Sequence, residues 1–350
     1  MRIIAYAPAN NGPAYHRIYM PLMNMDGPDV FITNCLKEEH FEKGCDLFMY
    51  NRVLPEEGME QFNRLREKYG FRVCVDVDDF WHLDAHHILY QESIDHGFAE
   101  QQIKHLREAD VIMTTHERLA EQIRMILPPY RVTPRFPHYA PAAEVHVCPN
   151  AILRKDQFNI IRYRSDKTRL FWQGSITHRE DIRLLERPIQ ALAPISDKIK
   201  MVLAGYHDGE QEWHDMVHSY TYNLKHAYKL IAGTDVHEYY PAYAHADICM
   251  VPLVNSPFNR MKSNLKILEA ANMGLPVIAS GVHPYLGMPV SFCKNSRDWL
   301  GHIKRLVQWP ARREEEGQRL AEYCQEHYNF HKINNERRQI LEYVATKASV

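Results

Sequence analysis

Short apolar runs alternate with stretches of helical periodicity along the whole chain. RIIAYAP (2–8), CDLFMYNR (45–52), FRVCVDV (71–77) and DVIMTT (110–115) are rich in β-branched and aromatic residues and too short for core helices, so they predict strands. Between them, GMEQFNRLREKYG and AEQQIKHLREA space their apolar residues along one helical face. Near-continuous apolar strands separated by helices imply a parallel sheet covered on both faces. A proline-rich passage, LPPYRVTPRFPHYAPAAEVHVCPNAI, interrupts the pattern, which then resumes. TRLFWQGS (168–175), IKMVLAG (199–205), ADICMVPL (246–253), PVIASG (276–281) and PVSFCK (289–294) predict five more strands, and a charged helical pattern closes the chain from Arg312. The expected fold is α/β, with two Rossmann-like, doubly wound domains facing a central cleft. Placing the junction near Pro149 and Asn150 gives a first domain of residues 1–150 and a second of 151–350, with the closing helix free to return to the first. Ligands of such sheets bind beyond the carboxyl ends of the strands, so the loops after these runs are where chemistry is expected.

Composition narrows the picture only a little. The 350 residues are 45% hydrophobic and 25% charged, with a formal net charge of −2, so a nucleic-acid role would need a local basic patch. The seven cysteines are scattered without a CxxC pair and read as reduced core residues. Neither a secretory h-region nor a run of spanning length is present, and the expected location is the cytoplasm, including that of a phage-infected cell or the face of an inner membrane.

The strand-end loops hold the candidate chemistry. After the first strand, PANNGPAYHR has one glycine, Gly12, and no GxGxxG, which disfavours a nicotinamide cofactor while still letting backbone approach a phosphate or sugar. VDVDDFWHLDAHH puts Asp76, Asp78 and Asp79 at a strand end, followed by His82 and His86. A DxD arrangement can hold Mg²⁺ or Mn²⁺, but no second ligand group has diagnostic spacing; the expectation is a polar role in the cleft and no metal. Asp78, Asp79 and His82 are the candidates for proton transfer. In FWQGSITHREDI, Gly174 and Ser175 lead into a helix start near His178, where backbone N–H groups attract anions.

The richest stretch is FNRMKSNLKILEAANMGLPVIAS, residues 258–280. Read as a helix, it brings Lys262, Lys266 and Glu269 onto one face, with apolar runs on either side. Charges enclosed that way are expected to have partners. The lysines and the helix start make a diphosphate cradle, the glutamate suits ribose hydroxyls, and Asn259, Arg260 and Ser263 are further donor-binding candidates.

These pieces, with GPAYHRIYMPL, VDVDDFW, VCPNAI and ADICMVPL, resemble glycosyltransferase family 4 and its relatives, nucleotide-sugar enzymes of the GT-B fold. The resemblance implies two Rossmann-like domains, a nucleoside-diphosphate sugar held by the C-terminal domain, and transfer with retention. The expected donor is a UDP- or GDP-sugar, and no tightly bound cofactor is expected. The cationic helix does the work of a divalent metal, which is then not required. Lys262 would then stabilise the leaving diphosphate. Glu269 matches the ribose-binding second glutamate of the family's paired motif. The first would fall at Met261, and the family's frequent arginine after the glycine of FWQGS is Ser175 here. The expected acceptor is a glycan or lipid-linked glycan. Two alternatives stand beside it: glycosylation of hydroxymethylated bases in phage DNA, and a non-catalytic sugar-nucleotide binder. The DNA reading comes from six cations in sixteen residues between Arg154 and Arg169. Arg162 and Arg164 from that stretch, with Arg17, are the expected acceptor contacts.

Overall fold

The computed structural model describes residues 1–133, 136–152, 160–221 and 227–346. Its first half builds a six-stranded parallel sheet from β1 (Arg2–Tyr6), β2 (Asp29–Thr33), β3 (Leu47–Asn51), β4 (Arg72–Val77), β5 (Val111–Thr114) and β8 (Glu144–Val147), in the order β2-β1-β3-β4-β5-β8. β6 (Tyr130–Thr133) and β7 (Phe136–Pro141) form a separate antiparallel pair within the proline-rich passage. The second half builds another parallel sheet from β9 (Thr168–Gln173), β10 (Ile199–Tyr206), β11 (Tyr228–Ala232), β12 (Ile248–Val251), β13 (Val277–Ser280) and β14 (Ser291–Cys293), ordered β11-β10-β9-β12-β13-β14.

Strand order fixes where a ligand can sit. In each sheet the direction of winding reverses beside the first strand, between β1 and β3 and between β9 and β12. Diverging loops leave a crevice at such a point. The loops after β1, β3, β9 and β12 therefore form the facing walls of the cleft.

The sequence pattern explains the cores. Ile3, Ile4 and Ala5 of β1, Val73, Cys74 and Val75 of β4, and Leu170, Phe171 and Trp172 of β9 are buried on successive positions, as strands covered on both faces require. Helices Glu56–Tyr69 and Phe98–Glu108 turn Phe62, Leu65, Ala99 and Leu106 inward. The expected closing helix is two helices, Pro310–His327 and Phe330–Thr346. The second buries Leu341 and Val344 in a cluster with Ile3, Ala5, Leu47 and Met49 of the first sheet. Asn334 anchors it there, donating to the carbonyls of Pro21 at 3.0 Å and Asn24 at 2.9 Å. No helix among the described residues is long and apolar enough to cross a membrane.

Candidate active site

On the C-terminal wall, one buried carboxylate organises the loops. Asp181 Oδ1 accepts from the Val254 backbone N–H and from Asn259 Nδ2, both at 2.9 Å, and Oδ2 accepts from His178 Nδ1 at 2.9 Å. Lys262 Nζ lies 3.9 Å from the same oxygen. Burial pushes the Asp181 carboxyl up, but the His178 bond and the Lys262 charge outweigh it and hold it at about 2. His178 is driven down to about 3 by burial and by the charges of Lys262 and Lys266, so it is neutral and donates from Nδ1.

The expected single helical face is corrected here. The helix spans Leu265–Asn272, and Lys262 lies before it with extended backbone (φ −68°, ψ 162°) after a 3₁₀ turn at Asn259–Met261. Asn259 spends its amide on Asp181 and the Val254 carbonyl, and Arg260 Nε donates to Asn255. Both therefore support the loop and do not line the cavity. Met261, in the place of the absent first glutamate, is buried in the apolar cluster of the first sheet. Its carbonyl accepts from His116 Nε2 at 2.9 Å, and that of Arg260 is bonded by His283 Nδ1. The loop is thus held from both halves of the molecule.

Lys266 and Glu269 follow on the helix. Lys266 makes no ion pair among the described residues, and burial, then the nearby Lys262 charge, lowers it to about 8. Its Nζ stands 5.7 Å from the centre of the Trp172 ring. Glu269 accepts hydrogen bonds from the hydroxyls of Tyr239 and, at 2.7 Å, Tyr243. His16 Nε2, from the first half of the chain, donates to the Tyr239 oxygen at 3.0 Å. Burial raises the Glu269 carboxyl, and the tyrosine bonds work against it.

The N-terminal wall is neutralised from within. Arg17 Nε and Nη2 hold both oxygens of Asp76 at 2.7 and 2.8 Å, and Nη1 donates to Asn150 at 2.9 Å. Arg17 is 1% exposed and lines the cleft with its Nε, Nη1 and Nη2 engaged by Asp76 and Asn150. Arg52 Nε holds Asp78 at 2.8 Å and Nη2 holds Asp79 at 2.7 Å. Burial works to raise both carboxyls; the Arg52 charge outweighs it at Asp78 but not at Asp79. Among the described residues no group of three or more His, Cys, Asp or Glu is placed to hold a metal ion. His82 is exposed and packs edge-on to Phe80 and Trp81, outside the cavity, so the proton-transfer role expected of it is also corrected.

Two contiguous cavities occupy the cleft. One, of about 340 Å³, gathers Gly12, Arg17, Asp78, Gly174, Ser263, Lys266 and Glu269 from the sequence-derived set. Asn10, His16, Thr234 and Tyr239 line it too, and sequence reasoning missed them. The three tyrosines of HEYYPAYAH were the available signal, since such rings with hydroxyls belong where one edge is buried and the other polar. The second cavity, of about 430 Å³, shares Gly174 and Tyr239 and contains Ser175. Its wall is tight. Gly205 (φ +99°) comes so close to Gly174 that a Cβ would lie 2.2 Å from the Gly174 carbonyl oxygen. His178 and Lys262 stand behind these walls on Asp181.

The basic stretch differs from expectation. Arg154 and Lys155 lie outside the described residues. Arg169 is buried, and Asp247 holds it at 2.8 Å. Arg162 Nη2 donates to Asp247 at 2.9 Å and to the Ala246 carbonyl, which corrects its assignment to the acceptor. Arg164 is exposed and lines neither cavity.

Residues 167–306 match the family model described as glycosyl transferases group 1. The matched segment runs from the first strand of the second sheet into the helix after its last strand. Solved structures extend the likeness of fold over the whole chain. Sucrose-phosphate synthase from Thermosynechococcus elongatus aligns over 98% of this chain and 99% of its own, at 15% identity and a TM-score of 0.69. HepE from Anabaena, in complex with UDP-glucose, aligns over 98% and 100% at 12% identity and 0.67. A UDP-forming trehalose-phosphate synthase from Burkholderia xenovorans aligns over 89% and 76% at 10% identity and 0.60. No protein among the curated sequences matches this chain. The chain therefore has the GT-B fold of these glycosyltransferases.

Proposed function

We propose that the protein moves a sugar, with retention, from a UDP- or GDP-sugar to an acceptor hydroxyl of a glycan or lipid-linked glycan. The observation that carries this is Lys262 on the buried Asp181 and Lys266 without an ion pair among the described residues, beside the buried Glu269, at the carboxyl ends of β9 and β12. The base enters the 430 Å³ cavity under Gly205, the ribose reaches Glu269 and Tyr239, and the diphosphate meets Lys266, with the charge of Lys262 behind it on Asp181. Charge grows on the diphosphate as the anomeric C–O bond breaks, and pre-set cations stabilise it there. Two lysines supply what a divalent ion would, while Arg17 and Arg52 already neutralise the aspartates. The bound UDP-glucose of the HepE complex supports this donor class.

The test is a thermal-shift panel of UDP-, GDP-, ADP- and dTDP-sugars with and without EDTA, repeated on Glu269→Ala. A ligand at 100 times its Kd adds about 2.7 kcal/mol of stability. The variant should lose about 1–3 kcal/mol of binding. A wild-type chain shifted by none of the four, or a variant bound as tightly as wild type, refutes the assignment. Binding without turnover or hydrolysis would leave the non-catalytic binder.

A further inference from the structure

A third cavity, of about 420 Å³, opens between the two halves of the molecule and shares no lining residue with the other two. His86, His87 and Tyr90 line one wall, and Arg179, Glu180 and Arg183 the other. It lies one aromatic ring from Lys262. His87 packs edge-on against Phe258 with centroids 5.5 Å apart, and Lys262 Nζ stands 5.0 Å from the centroid of the same ring. The Ser256 hydroxyl bonds Asp84 and ties this rim to the C-terminal loop.

The two guanidinium groups have one carboxylate between them. Arg183 Nη1 reaches both oxygens of Glu180, at 2.7 and 2.8 Å. Arg179 Nε is 3.4 Å from the same group and is shielded from solvent without a hydrogen bond. Planar guanidinium forks match tetrahedral oxyanions in two-point geometry, and the Arg179 and Arg183 side chains, 34% and 61% exposed, leave surface for a phosphate.

We propose that this cavity is the acceptor site and that it takes acceptors carrying a phosphate group, held by Arg179 and Arg183. The inference rests on the glycosyltransferase reading. A hydroxyl of the same acceptor points past Phe258 toward the diphosphate. Its oxygen bonds the anomeric carbon, the bond to the diphosphate breaks with its electron pair, and the hydroxyl proton passes to a diphosphate oxygen. Glu180 competes with the incoming phosphate for the arginines, which makes its removal informative. A soluble sugar phosphate and a lipid phosphate share this chemistry.

The experiment titrates the full chain with glucose 6-phosphate, with and without saturating UDP, and in parallel with phosphatidylcholine vesicles containing phosphatidic acid. Arg179→Gln and Arg183→Gln should each weaken phosphate binding about tenfold, the loss of a charge-assisted hydrogen bond. Glu180→Gln should tighten it several-fold, a gain that a merely structural carboxylate would not give. UDP affinity should stay the same in all three, which also shows that they fold. Uptake of glucose 6-phosphate assigns a soluble acceptor, and uptake of vesicles alone a lipid one. The proposal falls if wild type takes up neither, if the arginine variants match wild type, or if Glu180→Gln does not bind phosphate more tightly than wild type. A chain that binds no nucleoside diphosphate sinks the donor reading instead, while the nucleotide-free titrations still judge the anion site.

Discussion

On the N-terminal wall of the cleft, three aspartates meet two arginines, and each charge has its opposite within 2.8 Å. On the C-terminal wall, Lys262 stands 3.9 Å from Asp181, and Lys266, near the buried Asp181 and Glu269, makes no ion pair among the described residues. Both walls look alike in sequence, a strand end followed by charged residues, yet they do different work. A charge whose partner is built in holds shape and has little left for a ligand. A buried charge left short of partners raises the energy of the empty site, and a ligand of opposite sign recovers that energy on binding. On the proposed function, the comparison leaves Arg17, Arg52 and Asp76 as scaffolding and Lys262, Lys266 and Glu269 as the groups for substrate.

The largest effect expected is on the scaffolding side. Arg17→Met leaves Asp76 charged and alone in the interior, at a cost of about 3–5 kcal/mol of stability. Arg17→Met combined with Asp76→Leu should recover most of it, because no isolated charge remains. Chemical denaturation reads both values. A single variant as stable as wild type would mean that Asp76 does not need Arg17, and the contrast between the walls would fail.

Lys262→Ala comes next. It removes a cation from the developing diphosphate charge and should lower turnover about 10²–10³-fold, the scale for one preorganised stabilising group. Nucleotide affinity should fall less, since the charge is larger in the transition state than in the ground state. Single-turnover kinetics beside equilibrium UDP binding separates the two. Equal losses in both would reduce Lys262 to an ordinary binding contact.

How far this was legible depended on burial. β1, β4 and β9 read clearly because apolar residues follow one another where both faces are covered. β2 and β11 went unread: they are edge strands, half-exposed along most of their length, with DVFIT and YKLIA giving weak patterns. Lys266 and Glu269 were found from helical spacing, which holds in the helix Leu265–Asn272. Lys262 was given the wrong backbone, since no local signal marks the extended residue between the 3₁₀ turn and that helix. Asp181 was passed over because one acid in an amphipathic stretch looks like a surface charge; only the fold brings Val254, Asn259 and Lys262 to it. The His16–Tyr239 bond joins positions 223 residues apart, beyond any periodicity argument.

A smaller effect concerns pH. Lys266, lowered to about 8 by burial and then by Lys262, loses its proton in the empty site as pH rises past that value. Diphosphate binding favours the charged form, so affinity should hold below pH 8 and fall above it, by at most about tenfold per unit for one linked proton. Lys266→Arg should hold its affinity across that range, because a guanidinium stays protonated. Calorimetric titration of UDP from pH 7 to 9.5 tests this. A flat wild-type profile would mean that Lys266 does not meet the diphosphate.

The smallest effect is expected at the stretch that first suggested DNA. Arg162 is half engaged with Asp247, which also holds Arg169, so Arg162→Glu removes a partly exposed ion pair and sets a like charge beside Asp247. Exposed pairs contribute about 0–1 kcal/mol, and the loss should stay near that scale. Arg164 is exposed and lines no part of the donor cavities, so Arg164→Glu should leave stability within about 0.5 kcal/mol and UDP affinity unchanged. The informative measurement is duplex binding, plain and hydroxymethylcytosine-containing, at two salt concentrations. Counterion release makes true phosphate-backbone binding fall steeply with salt. With Arg169 buried and Arg162 paired, the described part of the stretch keeps few free cations, and no salt-dependent shift is expected. A shift that weakens with salt and disappears in Arg164→Glu would instead make that segment a polyanion surface and move the acceptor from the cavity of Arg179 and Arg183 to DNA.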